Sequence, residues 1–95
     1  MNRTLVIGCA AEAEIDQVAD WYQRHNLDAV LGFRVAVDRT IDFIREYPEQ
    51  YQVVYRQTRR ALVHGYPYAL FYTVDQQQIV VIACLHMARD PDACR

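Results

Sequence analysis

The sequence contains no lysine. Its ten basic residues are all arginines, twelve aspartates and glutamates outnumber them, and the formal net charge is −2. A protein that neutralises many phosphates usually carries a surplus of basic residues, so this balance argues against direct contact with nucleic acid. The exclusive use of arginine indicates no function by itself, because genomic base composition explains it as well as a need for bidentate contacts does.

Cysteine is scarce as well and occurs only as Cys9, Cys84 and Cys94. These residues are far apart and include no Cys-x-x-Cys pair, so reduced thiols are expected instead of a zinc site or a redox dithiol. Cys84 and His86 share one face of a predicted strand, but two ligands do not make a zinc site. Because a chain this short also has little interior for a large cofactor, we expect neither a metal nor a cofactor.

Long apolar runs and linkers are also missing. The N-terminal apolar patch ends at Ala10 and is too short for a signal peptide or a membrane span, which favours a cytoplasmic protein without membrane contact. No internal repeat or linker interrupts the chain, and its longest low-complexity segment is three glutamines. We therefore predict a single domain, residues 1–95.

Two stretches of the sequence have the periodicity of amphipathic helices. The apolar stripe of the first is Ile15, Val18, Ala19 and Tyr22. The apolar stripe of the second is Val30, Phe33, Val37, Ile41 and Ile44. Asn26 or Asp28 caps the second helix, and Pro48 ends it. Gly32 favours close packing of the two helices, so we predict a helical hairpin.

The remaining patterns predict strands. Thr4–Cys9 fits a short first strand, and Val53–Val63 fits one strand or two short ones. Tyr68–Val74 alternates regularly, and Ile79–Leu85 is an apolar run typical of a strand covered on both faces in mid-sheet. We predict an α+β fold in two layers: an N-terminal strand, the helical hairpin, then a three-stranded antiparallel sheet.

Several motifs together carry a resemblance to a known family. They are Trp21-Tyr22, Pro48 with Tyr51, Arg59-Arg60, the segment Tyr66–Tyr72 and the segment His86–Pro91. In their order and spacing they resemble the RelE/ParE superfamily of bacterial type II toxin-antitoxin modules, and most of all its ParE branch. The resemblance spans nearly the whole chain and implies the two-layer fold of that superfamily.

The resemblance also implies a function. ParE-like proteins are toxins associated with plasmid stabilization, each silenced by a ParD-like antitoxin in a hetero-oligomer, and their target is DNA gyrase, which they inhibit by binding. The RelE branch instead cleaves messenger RNA on the ribosome, and a shared fold does not choose between the two. Met87 and Cys94 depart from the ParE pattern. A different target, or a degenerate binding module without toxicity, therefore remains open.

Seven residues are candidates for contact with the antitoxin or the target: Trp21, Arg56, Arg59, Arg60, His86, Arg89 and Arg95. The three central arginines, Arg56, Arg59 and Arg60, form the densest basic group of the sequence. They fit either contact with a partner or solvated charge on an edge strand, which discourages aggregation. Trp21 flanks the first apolar stripe and fits either an antitoxin anchor or packing on the second helix. Arg89 fits either target contact or an ion pair with Asp90.

RNA cleavage would need a base, a proton donor and cations around the phosphate. His86 with Arg60 and Arg89 supplies part of that set. The negative net charge favours inhibition by binding, so no catalytic residue is assigned. The structural alternative for His86 is that it ends the last strand and hydrogen-bonds a neighbouring backbone carbonyl.

Overall fold

The computed structural model describes residues 3–89. Its elements are β1 (Thr4–Ile7), α1 (Cys9–His25), α2 (Leu27–Glu46), β2 (Val53–Tyr55), β3 (Thr58–Leu62), β4 (Tyr68–Val74), β5 (Gln78–His86) and a 3₁₀ turn (Met87–Arg89). The two helices form the predicted hairpin and pack against one face of the sheet. Among the described residues, no helix is both long and apolar enough to cross a membrane.

The helical stripes are where their periodicity places them. Most of the predicted positions are buried, namely Ile15, Ala19, Phe33, Val37, Ile41 and Ile44, and the others are half-buried. Asn26 separates the helices and caps the second one, because its Oδ1 accepts a hydrogen bond from the Ala29 amide at 3.4 Å. The second helix stops at Glu46, shortly before Pro48, as predicted.

Gly32 allows a close approach, but not the predicted one between the helices. A Cβ built at this glycine would collide with the Tyr66 hydroxyl, which comes from the loop between β3 and β4. That hydroxyl donates a hydrogen bond to the carbonyl of Ala29 at 2.9 Å. Gly32 therefore makes room for a tyrosine that fastens the sheet to the start of α2.

The sheet is larger than predicted. It has five strands in the order β1-β5-β4-β3-β2, and β1 is parallel to β5 while the other neighbours are antiparallel. The prediction of a separate N-terminal strand and a three-stranded antiparallel sheet was therefore wrong in detail, although the two-layer α+β arrangement fits. The long connection that a parallel strand pair requires consists here of the helical hairpin together with β2, β3 and β4.

The segment predicted as one strand or two is two strands. The turn between β2 and β3 holds Arg56 at a φ of 52°, in the left-handed region that breaks a strand. Hydrogen-bonded pairing resumes immediately, with Tyr55 opposite Thr58 and Val53 opposite Arg59. Polar residues in this segment thus mark a tight hairpin whose first strand, β2, forms one edge of the sheet.

The strand β5 lies in mid-sheet, between β1 and β4, as its apolar run predicts. The helices cover only one of its faces, and Ile82 is 41% exposed, so the expected burial on both faces is incomplete. The register shifts there, because Phe71 pairs with Ala83 while Tyr72 pairs with Val81. The extra residue is a β-bulge.

Beyond the end of β1, a helix replaces the missing strand. β1 pairs with β5 only as far as Val81, which leaves the next part of that edge without a strand. There Glu14 of α1 accepts a hydrogen bond from the Cys84 amide at 2.8 Å. Burial, reinforced by the Glu14 carboxylate, raises the pKa of the Cys84 thiol to about 12. This contact joins α1 to the part of β5 that β1 does not cover.

Candidate functional site

The candidate arginines lie on the hairpin of β2 and β3. Arg56, in the turn, is exposed, and its guanidinium lies over the Tyr55 ring at 5.3 Å from the ring centre. Such a cation–π contact at an exposed site contributes on the order of 0.5–1 kcal/mol and leaves the charge accessible. Of the three central arginines, Arg56 is the most available to a partner.

Arg59 has a structural role. Its Nη1 donates hydrogen bonds to the carbonyls of Glu49 at 3.0 Å and of Tyr51 at 2.6 Å. Next to it the Tyr72 hydroxyl donates to the carbonyl of Pro48 at 2.6 Å. Burial raises the pKa of Tyr72 to about 12, against the opposing effect of the Arg59 charge. Both side chains hold the segment that leads from α2 into β2.

Arg60 points to the other face of the sheet. In the antiparallel pairing it lies opposite Phe71, whereas Arg59 lies opposite Tyr72. Directly paired residues share a face, and neighbours along a strand do not. Arg60 also donates to the side-chain oxygen of Gln52 at 3.4 Å. The three arginines therefore share a hairpin without forming one patch.

Trp21 is half exposed on α1. Its indole stacks on the His25 ring with centroids 4.2 Å apart and lies edge-on to Tyr22 at 5.4 Å. The His25 Nδ1 bonds the carbonyl of Trp21 at 2.8 Å, which fixes the histidine beneath the indole. The ring is thus held in place by its own helix, with one side open to solvent.

His86 ends β5, as predicted, but its hydrogen bond differs from the predicted one. Its Nδ1 accepts from the backbone amide of Ala88 at 3.0 Å, where the structural alternative expected a bond to a carbonyl. The ring is edge-on to Tyr68, with centroids 5.2 Å apart. Because Nδ1 accepts this hydrogen bond, a neutral His86 ring carries its proton on Nε2. The histidine thus fixes the first turn after the strand.

His86 and Arg60, two members of the set that RNA cleavage would need, are not brought together. His86 lies opposite Tyr68 and Arg60 lies opposite Phe71, three positions further along β4. An odd separation puts the two side chains on opposite faces of the sheet. Arg89 belongs to the 3₁₀ turn, and Arg95 lies outside the described residues. Among the described candidates, Arg56 and Arg59 line one cavity of about 300 Å³, but His86 and Arg60 are not among its lining residues.

The structure also has an exposed apolar stripe on α2, which contains none of the seven predicted candidate residues. It consists of Leu27, Leu31, Val35 and Phe43, which are 66%, 73%, 54% and 54% exposed. These residues, the α2 stripe, recur every four or eight positions and so wind slowly around the helix. The signal was in the sequence, since α2 has more apolar residues than one buried face needs.

The α2 stripe borders a groove. A cavity of about 510 Å³ lies between α2 and the end of β3, and Val35, Phe43, Leu62 and Tyr66 line its apolar part. Arg39 and His64 lie at its rim. Single exposed apolar residues are ordinary, but a row of them along one helix beside a groove, interrupted here at Arg39, is typical of a protein–protein contact.

Within residues 3–89, no group of three or more histidine, cysteine or acidic side chains is placed to hold a metal ion. The candidate site consists of two separate surfaces. The first is the α2 stripe with its groove. The second is the hairpin turn with the exposed Arg56.

The fold and the sequence both have known counterparts. The structure is similar to a chain of the "Chromosomal ParDE TA system from P. aeruginosa", with a TM-score of 0.78 and 14% identity, over 88% of this chain and 95% of that chain. The sequence model of "ParE toxin of type II toxin-antitoxin system, parDE" matches residues 7–91. A search among curated proteins finds no significant match.

The structural match shows a small α+β fold that a chain of a toxin-antitoxin system also has. The family match is more specific, since it extends over most of the sequence. The chain belongs to the ParE toxin family and is a type II toxin. An antitoxin is accordingly its expected partner.

Proposed function

We propose that this toxin inhibits its target by binding, that the target is DNA gyrase, and that a cognate ParD-like antitoxin neutralises it. The observation that supports binding over RNA cleavage is the position of His86. Its Nδ1 is engaged by the Ala88 amide, and Arg60 projects from the opposite face of the sheet. General acid–base chemistry on a phosphate needs such groups within hydrogen-bond reach of one substrate.

The α2 stripe is the surface that we propose for the antitoxin. Leu27 and Leu31 are largely exposed, and leaving such side chains in water forfeits about 1.5–3 kcal/mol each relative to burial. A helix whose apolar face lies in a groove is a common mode of peptide recognition. Arg39 and His64 at the rim would pair with acidic residues of the antitoxin.

A substitution at Leu31 tests the antitoxin surface. Leu31→Arg should weaken binding of the protein encoded by the adjoining reading frame by more than about tenfold, since it puts a charge into an apolar contact. The side chain is 73% exposed, so the free energy of unfolding should change by less than about 0.5 kcal/mol. Isothermal titration calorimetry measures the affinity, and chemical denaturation measures the stability.

Gln76→Arg is the matched control for this experiment. Gln76 is exposed in the turn before β5, so the control adds the same charge away from α2. Antitoxin affinity unchanged by Leu31→Arg, or reduced equally by both variants, would refute the proposed surface. The gyrase proposal is independent of this result.

The gyrase proposal is tested with purified components. Adding the toxin to DNA gyrase, ATP and relaxed plasmid should block supercoiling, and adding the antitoxin should restore it. Supercoiling that is unaffected by a molar excess of toxin would contradict the proposed target. Ribosomes with messenger RNA provide the parallel assay, because cleavage there that is lost in His86→Ala would establish the RelE-like activity instead.

A further inference from the structure

Within residues 3–89, no strand pairs with the outer edge of β1. β1 is the last strand of the sheet on its side, and Thr4–Ile7 contains no charge, proline or bulge of the kind that normally protects an edge. The Thr4 amide donates to the carbonyl of Gln77, just before β5, at 3.2 Å, and the Gly8 amide donates to the carbonyl of Val81 in β5 at 2.8 Å. Backbone amide and carbonyl groups alternate in direction along a strand. The amides and carbonyls of Leu5 and Ile7 therefore point away from β5, toward the open edge.

A groove runs between this edge and the helices. Two adjoining cavities of about 290 and 620 Å³ share Ile7, Glu12, Asp38 and Ile41 as lining residues. Leu5 extends the apolar floor at one end. We call this feature the β1-edge groove. It lies on the opposite flank of α2 from the groove beside the α2 stripe, because at 100° per residue its lining residues Asp38 and Arg45 point away from Arg39 and Phe43, which line the other groove.

The rim of the β1-edge groove is acidic. It carries four carboxylates and two guanidinium groups, namely Glu12, Asp16, Asp38, Asp42, Arg34 and Arg45. Arg34 is 3.5 Å from Asp16, and Arg45 is 3.4 Å from Asp42. Glu12 and Asp38 form no ion pair with any residue from 3 to 89. Two negative charges therefore remain uncompensated beside an open strand edge.

These features decide what kind of strand fits the edge. Leu5 and Ile7 face the helices, while Val6 faces the other way and is 41% exposed. A strand added here would direct alternate side chains toward the carboxylates and toward Val6. If the side chains directed toward the carboxylates are basic, they can pair with Glu12 and Asp38 and lay their aliphatic stems on the groove floor. If the side chains directed the other way are apolar, they can cover Val6.

Charge argues against two other occupants. A second copy of this chain, paired through β1 about a two-fold axis, would bring one acidic rim toward the other. An acidic segment would meet the same repulsion from Glu12 and Asp38. Only a basic segment complements the rim, and charge complementarity of this kind selects partners more than it adds affinity.

We propose that the β1-edge groove binds an extended, arginine-rich segment of a partner protein, which joins the sheet as an additional strand next to β1. Main-chain hydrogen bonds to Leu5 and Ile7 hold the segment, and Glu12 with Asp38 select its basic side chains. The inference goes beyond the proposed function, because it concerns a different surface and does not depend on the identity of the toxin's target.

The test uses a peptide of about six residues that alternates arginine and valine, the usual length of a strand. Added to the full chain at low salt, it should slow hydrogen exchange of the Leu5 and Ile7 amides, as measured by nuclear magnetic resonance. The double variant Glu12→Gln/Asp38→Asn should weaken peptide binding roughly fivefold, since it removes two exposed charge pairs. A peptide that alternates glutamate and valine should not bind.

The matched control is Asp20→Asn/Glu49→Gln, which removes the same charge at exposed positions that do not line the groove. It should leave peptide binding within about twofold of the unsubstituted chain. Equal weakening by both double variants would mean general charge attraction and overturn the proposal. Unchanged exchange at Leu5 and Ile7 would overturn it too. So would a homodimer of the chain that protects these amides without any peptide.

Discussion

At the scale of single residues, several polar side chains predicted to meet partners hold the fold instead. The guanidinium of Arg59 bonds two carbonyls that lie eight and ten residues away in the sequence. Sequence reasoning found the basic group but not this role, because the acceptors are backbone atoms and every residue offers one. The prediction that His86 ends its strand was correct. Its hydrogen bond from the Ala88 amide could not be predicted, because that donor too is a backbone group.

Tyr72 makes the stability of the toxin sensitive to alkaline pH. Burial raises its pKa from 10.0 to about 12, so folding favours the protonated hydroxyl. Its contribution is complete below pH 10 and is lost as the pH rises through 12. The free energy of unfolding, measured with urea, should therefore decline between these pH values. Tyr22 and Tyr51, whose pKa values burial also raises, should add to the decline.

The variant Tyr72→Phe isolates this contribution. It should lower the free energy of unfolding at neutral pH by about 1 kcal/mol, because the hydrogen bond to Pro48 is lost. Its decline at alkaline pH should be shallower than that of the unsubstituted chain. Tyr55→Phe, at an exposed position, serves as the control. A decline of equal slope with and without the Tyr72 hydroxyl would contradict the assignment.

Gly32 and Tyr66 should be energetically coupled. An alanine at position 32 gains about 1 kcal/mol in helix propensity, but its Cβ displaces the Tyr66 hydroxyl from the carbonyl of Ala29. Gly32→Ala alone should therefore give no gain in stability. In a Tyr66→Phe background the nearest ring carbon is 3.6 Å away, an ordinary contact, and the same change should stabilise by about 1 kcal/mol. Additive effects in thermal denaturation would refute the coupling.

At the scale of secondary-structure elements, the helices were predictable and part of the sheet was not. Apolar residues every three or four positions, the cap at Asn26 and the stop before Pro48 are local signals, and they placed both helices. The pairing of β1 with β5 joins residues more than seventy positions apart. No local pattern encodes such a pairing, so a mixed sheet was mistaken for an antiparallel one.

Glu14 should stabilise the junction between α1 and β5. Glu14→Ala leaves the Cys84 amide without its acceptor in a half-buried position and should cost about 1–3 kcal/mol of unfolding free energy. Glu14→Gln keeps an acceptor oxygen and should cost less. Glu12→Ala, two residues earlier and exposed, should change stability by less than about 0.5 kcal/mol. Equal losses for alanine at both positions, in urea denaturation, would exclude this role.

At the scale of the whole molecule, α2 separates two surfaces of opposite character. One flank has the α2 stripe and a groove with Arg39 and His64 at its rim, and the other has the acidic β1-edge groove. The family resemblance could be read from motifs spread along the sequence. The two surfaces could not be predicted from the sequence, because each combines a helix with a strand whose position depends on the completed sheet.

The central claim is that this ParE-family toxin acts by binding and not by RNA cleavage. Induced expression without antitoxin, in parallel for the unsubstituted chain and His86→Ala, tests it most directly when plasmid topology and messenger RNA ends are analysed in the same cells. We predict growth arrest with loss of negative supercoiling and intact messenger RNA for both proteins. Growth arrest with messenger RNA cleavage that disappears in His86→Ala, or no arrest at all, would contradict the claim.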